Sequence, residues 1–196
     1  ATAFFSSTSL EAEGLSHFYQ SIGGFDALFD FGAAPPEVQE RHRISSWGGD
    51  EEAIRQMAVG WLDERADKQR PFFLQLAHIS THHPYTPPPG YQGPEPGKNA
   101  ERRYRNALHH NDAVLRRLSE ALKERGLWED TLIAITGDHG ETFGDDHEGN
   151  FSHNNFLYEE NIRSFLLLID PRRAAAPEGP LRSARVGSHG DLLPTL

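Results

Sequence analysis

The sequence predicts an α/β fold with a mostly parallel sheet that carries helices on both faces. Short, continuously apolar runs with the length of buried strands alternate with longer segments of helical periodicity. Apolar strands separated by helices are typical of a parallel sheet that is covered on both sides. With 196 residues, the chain is long enough for one domain with a substantial core.

The N-terminal elements follow from short local patterns. Residues Ala3 to Ser6 form an apolar run suited to a buried strand. A helix is expected next, because apolar side chains recur at helical spacing before the pair Gly23-Gly24. Its apolar positions are Leu15, Phe18, Tyr19 and Ile22. The stretch from Gly32 to Ser46, which contains Pro35-Pro36, has little periodicity and is expected to be an irregular loop.

The remaining elements are a capped helix, three strands and one long helix. Asp50 can cap a helix whose apolar residues fall on one face, namely Ile54, Met57, Ala58, Trp61 and Leu62. The long helix is expected from Glu101 to Arg125, with Gly126 ending it. Strands are expected at three short apolar runs, which are Phe72 to Ile79, Thr131 to Thr136 and Phe165 to Ile169. The proline-rich stretch HHPYTPPPGYQGPEP should be extended and irregular.

The composition excludes several classes of protein. Contents of 37% hydrophobic and 24% charged residues are typical of a soluble globular protein rather than a disordered one. The net charge of −10 argues against non-specific nucleic-acid binding, because no basic stretch exists to displace phosphate counterions. The absence of cysteine excludes disulfides, thiolate metal sites and a cysteine nucleophile. No apolar run approaches the ~20 residues of a membrane helix.

The two ends of the chain predict that residues 1–196 are one part of a larger domain. The chain opens directly in a strand-like run, TAFFSS, and stops within an apolar run, DLLPTL. The lack of a visible signal peptide is therefore uninformative about targeting.

The sharpest chemical signal is the segment TLIAITGDHGE, Thr131 to Glu141. It places Asp138 and His139 directly after an apolar strand, at the edge of the sheet where α/β proteins bind ligands. A carboxylate beside an imidazole supplies one oxygen and one nitrogen ligand of the kind that transition metals accept. Gly137 and Gly140 would allow tight turns around the pair. The alternative is that Asp138 caps the next element and His139 is a surface residue.

Four further histidines lie in segments that lack regular periodicity. His147 and His153 fall in the polar loop GDDHEGNFSHNN, which has too little apolar content for a strand or a buried helix. Each of them lines a cleft or is a solvated loop residue. His82 and His83 follow the Phe72 strand in STHHPY, at the same sheet edge as Asp138 if the strands are parallel. An imidazole there could donate to an anionic oxygen or to a leaving group.

Four landmarks together resemble the sulfatase family of the alkaline phosphatase superfamily. In chain order they are PFFLQLAHISTHHPY, RYRNALHHNDAVLRRLSEALKERGLWEDTLIAITGDHGETFG, HNNFLYEENIRSFLLLIDP and SHGDLLPTL. The resemblance covers roughly Arg70 to Leu196 and rests on the order of the landmarks more than on any one of them. It implies an alkaline phosphatase-like fold whose N-terminal part is missing from this chain.

The resemblance also implies roles for individual residues. Asp138 and His139 match metal ligands, and the metal is a divalent cation: Ca, Mn, Mg or Zn. His82 and His153 match catalytic residues that face the substrate. Two more are expected to bind substrate, His83, which replaces His82 if the register shifts by one, and His147. The family's hydroxyl or formylglycine nucleophile and its other metal ligands lie upstream, so no nucleophile is expected in this chain.

The implied function is metal-dependent hydrolysis of sulfate esters, with an anionic ester as the substrate. The early segments TAFFSS and HFYQSIGGFDALFD are more similar to the lipoteichoic acid synthase branch, whose membrane-anchored enzymes act on phosphodiester head groups outside the cytoplasm. A phosphoglycerol or phosphoethanolamine transferase is therefore one alternative, and a non-catalytic sulfatase-like binding module is another. Ser7 and Ser9 stand where sulfatases carry Lys and His, which leaves the substrate class open. An extracytoplasmic or membrane-anchored location is expected for the intact protein.

Overall fold

The computed structural model describes residues 1–11, 14–65, 68–97, 99–173 and 182–196. The chain divides into two compact units, Ala1–Ala121 and Leu122–Leu196. Within the described residues, none of the helices combines the length and the apolar character needed to cross a membrane.

The first unit contains a three-stranded parallel sheet with the order β2-β1-β3. Its elements, in chain order, are β1 (Thr2–Ser6), α1 (Leu15–Ile22), β2 (Ala27–Asp30), a 3₁₀ turn (Phe31–Ala33), α2 (Pro36–His42), α3 (Glu51–Glu64), β3 (Phe73–Ala77) and all but the last turn of α4 (Ala100–Glu124). In the central strand, Phe5 lies opposite Phe29 of β2 and Leu76 of β3. The predicted parallel sheet is therefore confirmed in this unit.

Both faces of β1 are buried, because successive strand residues point to opposite sides of a sheet. Phe5 is stacked on Phe29 at 4.8 Å between ring centroids and packs with Ala53, Ile54 and Ala58 of α3. On the other face, Phe4 lies 4.8 Å from the ring of Tyr19 in α1. Helices thus cover both sides of the sheet, as the apolar runs predicted.

Capping chemistry determines where the helices of the first unit begin and end. The Asp50 carboxylate accepts hydrogen bonds from the Glu52 and Ala53 N–H groups, as its predicted role as a cap requires. Gly23 and Gly126 follow α1 and α4 with φ of 63° and 66°, the left-handed conformation that glycine adopts without steric cost. The prediction of an irregular loop from Gly32 to Ser46 is wrong, because α2 lies within this range.

The second unit contains a two-stranded antiparallel sheet of β4 (Ile133–Thr136) and β5 (Leu166–Ile169). The other elements of this unit are 3₁₀ turns at Trp128–Asp130 and His189–Asp191 and two single-turn helices, α5 (Glu159–Ile162) and α6 (Leu192–Thr195). The expectation that these two strands would also run parallel is wrong. Residues 137–165, which join them, return the chain alongside β4 instead of crossing over in the parallel sense.

Candidate functional site

The end of β4 places a carboxylate and an imidazole side by side. Asp138 and His139 are the second and third residues after β4, and both side chains are exposed. The Asp138 carboxylate accepts the His139 backbone N–H at 2.9 Å through Oδ1. Its second oxygen, Oδ2, lies 3.5 Å from His139 Nε2. The local hydrogen bond therefore orients the free carboxylate oxygen toward the imidazole.

The protonation of His139 follows from its other ring nitrogen. Nδ1 lies 2.7 Å from the Gly140 carbonyl oxygen, and because a carbonyl only accepts, Nδ1 must carry the proton. In the neutral ring, Nε2 then presents a lone pair toward Asp138 Oδ2. Two lone-pair donors 3.5 Å apart match the separation of about 3.4 Å between neighbouring ligands of a tetrahedral metal ion. The pair therefore fits a divalent cation.

The two glycines of GDHG are required for space, since neither has a positive φ. A Cβ at Gly137 would lie 2.9 Å from Ser164 Oγ. A Cβ at Gly140 would overlap the Glu160 carbonyl oxygen and lie 2.8 Å from that of Arg163. These glycines therefore allow the close approach of residues 160–164 of the same chain, rather than the tight turns that the sequence predicted.

His153 joins the Asp138–His139 pair. Its ring centroid lies 4.0 Å from that of His139, with the planes tilted by 32°. Its Nδ1 lies 3.2 Å from Glu141 Oε2, and both side chains are largely shielded from solvent. A carboxylate accepting from Nδ1 leaves Nε2 as the nitrogen available to a ligand.

His147, in the same loop as His153, contacts a different set of partners. Its Nδ1 lies 2.7 Å from Glu160 Oε1, and its ring is stacked on Tyr158 with 3.8 Å between centroids. Burial acts to raise the pKa of Glu160, but hydrogen bonds from its own backbone, His147 and Asn150 outweigh burial and lower this pKa. A charged Glu160 is a strong acceptor, so it fixes the orientation of His147.

Two buried asparagines support the loop that carries these histidines. Asn150 is fully buried and donates from Nδ2 to Glu160 Oε1 at 2.9 Å and to Asn161 Oδ1 at 2.7 Å. Asn161 in turn donates to the Ser152 carbonyl at 3.2 Å, and its own carbonyl accepts the Gly140 N–H at 2.9 Å. This network ties the loop to the residue that follows His139.

The predicted pair His82 and His83 lies in the first unit, in the turn after β3. Both side chains are exposed. His82 Nδ1 lies 2.7 Å from the His83 carbonyl oxygen, and the His82 ring centroid is 5.3 Å from that of Trp47. β3 belongs to the sheet of the first unit and β4 to that of the second.

The turn before His82 is anchored by a carboxylate that sequence patterns did not reveal. Glu51, the first residue of α3, is fully buried. Its Oε1 accepts the N–H groups of Ile79 at 2.9 Å and Ser80 at 2.7 Å, and its Oε2 accepts the Ser80 hydroxyl. His110 Nε2 of α4 lies 3.7 Å from the same Oε2. In the sequence Glu51 looked like an ordinary first-turn acidic residue, and no local signal distinguished it.

No group of three His, Asp or Glu side chains with the geometry of a metal site occurs among the described residues. The assignment of Asp138 and His139 as metal ligands therefore stays a prediction. Ser7 is fully buried, and the Ser9 hydroxyl accepts the Glu11 N–H at 3.3 Å.

A comparison with protein families matches residues 2–196 to the family described as Sulfatase. The chain belongs to the sulfatase family. The family assignment predicted from the four landmarks is thus confirmed.

This sulfatase-family chain matches known proteins and solved structures at low identity. An uncharacterized sulfatase, YdeN, of Escherichia coli (strain K12) is 28% identical over 127 residues, which are 60% of this chain and 23% of YdeN. The crystal structure of the lipoteichoic acid synthase LtaP from Listeria monocytogenes superposes with a TM-score of 0.69 at 22% identity, covering 85% of this chain and 42% of LtaP. The C-terminal periplasmic domain of EcEptC from Escherichia coli, in complex with Zn, gives a TM-score of 0.55 at 17% identity, covering 85% and 48%.

These comparisons confirm the alkaline phosphatase-like fold. This sulfatase-family chain spans less than half the length of each of the three relatives. The site residues remain predictions from the resemblance. The structure adds three acceptors and donors that the sequence patterns missed, namely Glu141, Asn150 and Asn161, and it pairs Glu160, which the sequence indicated as a structural ion-pair or capping residue, with His147.

Proposed function

We propose that this chain is the metal-binding part of a sulfatase-family enzyme that cleaves sulfate esters, with Asp138 and His139 as two of its metal ligands. The observation that carries the proposal is the 3.5 Å separation of Asp138 Oδ2 and His139 Nε2. The other ring nitrogen of His139, Nδ1, donates to the Gly140 carbonyl, which leaves Nε2 for a ligand. Zinc in the EcEptC domain supports a divalent cation in this fold. When bound, the cation would supply positive charge that stabilises the ester oxygens and lowers the pKa of a hydroxyl nucleophile.

The neighbouring residues of the second unit have roles that follow from their contacts. The Gly140 carbonyl holds His139 in the tautomer whose Nε2 can bind a metal ion. His153 is held at Nδ1 by Glu141, so its Nε2 would donate to a non-bridging oxygen or to the leaving oxygen when the ring is protonated. His147 is a candidate for substrate contact through its exposed ring face. His82 and His83 keep the substrate-contacting roles that the resemblance implies, as predictions.

The second candidate function is transfer or cleavage of a phosphodiester, and the specific observation behind it is the likeness of the early segments to the lipoteichoic acid synthase branch. The substrate in either case is an anionic ester. We also propose an extracytoplasmic location for the intact enzyme, because the lipoteichoic acid synthase branch faces outward from a membrane anchor.

Metal binding by this chain tests the proposal directly. We expect titration calorimetry with Mn²⁺ or Zn²⁺ to show binding that Asp138→Ala abolishes and that Asp145→Ala, an exposed acidic residue of the neighbouring loop, leaves unchanged. Equal affinity of the Asp138→Ala variant would overturn the ligand assignment.

Turnover assays then separate the two ester classes. The chain is incubated with a chromogenic sulfate monoester and a chromogenic phosphodiester in the presence of Mn²⁺, Ca²⁺ or Zn²⁺. Turnover of one ester would place a nucleophile within residues 1–196, contradict the prediction that none lies there, and identify the substrate class. If metal binding depends on Asp138 and neither ester is turned over, the result would support the proposal that the chain carries part of the metal site.

A further inference from the structure

The landmark SHGDLLPTL has no role in the proposed chemistry, yet its first residues form a tightly hydrogen-bonded turn. The Asp191 carboxylate accepts the Ser188 N–H at 2.7 Å and the Ser188 hydroxyl at 3.1 Å. The hydrogen bonds from the Ser188 backbone and hydroxyl lower the pKa of Asp191, so the carboxylate is a charged, strong acceptor. This capping box starts the 3₁₀ turn His189–Asp191 and limits the positions that His189 can occupy.

The turn directs His189 to the strand end that carries the proposed metal ligands. His189 Nε2 lies 2.8 Å from the carbonyl oxygen of Gly137, 52 residues earlier in the chain. Because the carbonyl can only accept, Nε2 carries the proton and donates it. Gly137 is the residue directly before Asp138 and His139.

A second side chain donates to the same oxygen. The Ser164 hydroxyl lies 2.6 Å from the Gly137 carbonyl, just before β5 begins. The Thr136 hydroxyl is 3.0 Å away, but its single proton has a nearer acceptor in the Phe165 carbonyl at 2.7 Å. Two long-range donors, from Ser164 and His189, therefore converge on one carbonyl group.

We propose that His189 and Ser164 are positioning residues that clamp the Gly137 peptide and thereby hold Asp138 and His139 in metal-binding geometry. The inference rests on the proposed role of those two residues as ligands. Glycine has the largest backbone freedom of any residue, so an unclamped Gly137 would let the following dipeptide vary in orientation. Outer-shell partners of this kind typically contribute 10- to 100-fold to metal affinity.

Matched variants separate the hydrogen bond from the volume of the side chain. His189→Phe keeps a ring but removes the donor, whereas His189→Gln keeps an N–H donor. We expect the Phe variant to bind Mn²⁺ or Zn²⁺ about tenfold more weakly than the unmodified chain, and the Gln variant to recover part of the loss. Ser164→Ala should weaken binding in the same direction. His17→Phe, at an exposed histidine of the first unit, is the control and should leave affinity unchanged.

Two measurements distinguish positioning from a structural role. Because His189 is exposed, His189→Phe should leave the urea unfolding midpoint nearly unchanged while metal affinity falls. Nitrogen-15 NMR without metal should show the Nε2-protonated form of His189, and His189→Phe should shift the Asp138 and His139 amide resonances. These NMR readouts do not require metal binding, so they test the clamp even if the ligand assignment fails.

The outcomes are separable. Loss of binding in Asp138→Ala together with unchanged affinity in His189→Phe and Ser164→Ala would overturn the clamp and retain the proposed ligands. An Nδ1-protonated His189, or Asp138 and His139 resonances that do not respond to His189→Phe, would also overturn the clamp. An affinity loss that His189→Gln reverses supports it.

Discussion

Glu51 Oε1 accepts a hydrogen bond from the backbone N–H of Ser80 at 2.7 Å, linking the first turn of α3 to the turn that follows β3. Glu51 is completely buried, and Ser80 is 1% exposed. A buried carboxylate is costly unless hydrogen bonds compensate for the lost hydration. Glu51 has three such bonds from Ile79 and Ser80, so it stabilises the turn that leads to His82.

We expect Glu51→Gln to lower the free energy of unfolding by about 1–3 kcal/mol. An NH₂ group in place of Oε2 cannot accept from the Ser80 hydroxyl, and one in place of Oε1 cannot accept from the N–H groups of Ile79 and Ser80. Urea unfolding at pH 7 measures the change. Glu124→Gln, at a side chain that is 76% exposed, is the control and should change stability by less than about 0.5 kcal/mol. A Glu51→Gln loss as small as that of the control would show that the buried contacts contribute little.

Acid should destabilise the chain through His110. Burial lowers the pKa of His110 below its ordinary value of 6.5, and this outweighs the nearby charges of Glu51, Asp50 and Glu52, which raise it. Since the unfolded chain binds the proton more readily, the contribution to stability is complete above pH 6.5 and is lost as the pH falls below that value. Burial also lowers the pKa of His78, so the two groups act in the same direction.

We expect the free energy of unfolding to fall between pH 7.5 and pH 5, with a slope of at most about 1.4 kcal/mol per pH unit for each histidine. Urea unfolding across this range should show a shallower slope for His110→Gln than for the unmodified chain. His17→Gln, at an exposed histidine, should leave the slope unchanged. Parallel pH profiles for the His110→Gln variant and the unmodified chain would refute the assignment.

Arg117 should help to keep Glu52 ionised in acid. Burial acts to raise the pKa of Glu52, but hydrogen bonds from Arg55, Gln56 and Arg117 outweigh it and hold this pKa at about 2. The depressed pKa stabilises the fold above the ordinary value of 4.5, and the contribution is lost as the pH falls toward 2. Arg117 supplies its bond from α4, with Nε 2.9 Å from Glu52 Oε2.

Carbon-13 NMR titration of Arg117→Gln should show a raised Glu52 pKa. At pH 7 the loss of stability should be about 1 kcal/mol or less, because Arg117 is 39% exposed and solvent screens the pair. Arg105→Gln, which removes a more exposed pair with Glu101, should leave the Glu52 pKa unchanged. An unshifted Glu52 pKa in Arg117→Gln would mean that Arg55 and Gln56 suffice.

Two glycine-to-alanine changes should shift the free energy of unfolding in opposite directions. A Cβ at Gly60, within α3, meets no atom within 4 Å, so Gly60→Ala should stabilise the chain by about 0.5–1 kcal/mol through reduced backbone entropy of the unfolded state. At Gly140 the Cβ would overlap the Glu160 carbonyl oxygen, so Gly140→Ala should destabilise by about 1–3 kcal/mol and weaken metal binding. Urea unfolding and metal titration check both, and a neutral Gly140→Ala would contradict the close approach.

Elements whose signals lie within a few residues were predicted correctly. The Asp50 cap, the Gly126 stop and the long helix agree with the structure to within one or two residues. Helix α2 was missed because Pro35-Pro36 suggested a break, although Pro36 occupies the first turn of a helix, where its missing N–H has no cost. Strand β2 was missed because four residues are too short to show a period.

The sequence by itself determined the family, the strand that precedes Asp138 and His139, and the histidines of the loop, because each of these is a local motif or an ordered series of motifs. Tertiary structure decided the antiparallel pairing of β4 with β5 and the partners of the site residues, such as Glu141 for His153 and the Gly137 carbonyl for His189. The physical reason is distance along the chain. Hydrogen bonds between residues 12 to 52 positions apart depend on where the backbone returns, and no pattern within a short window records that path.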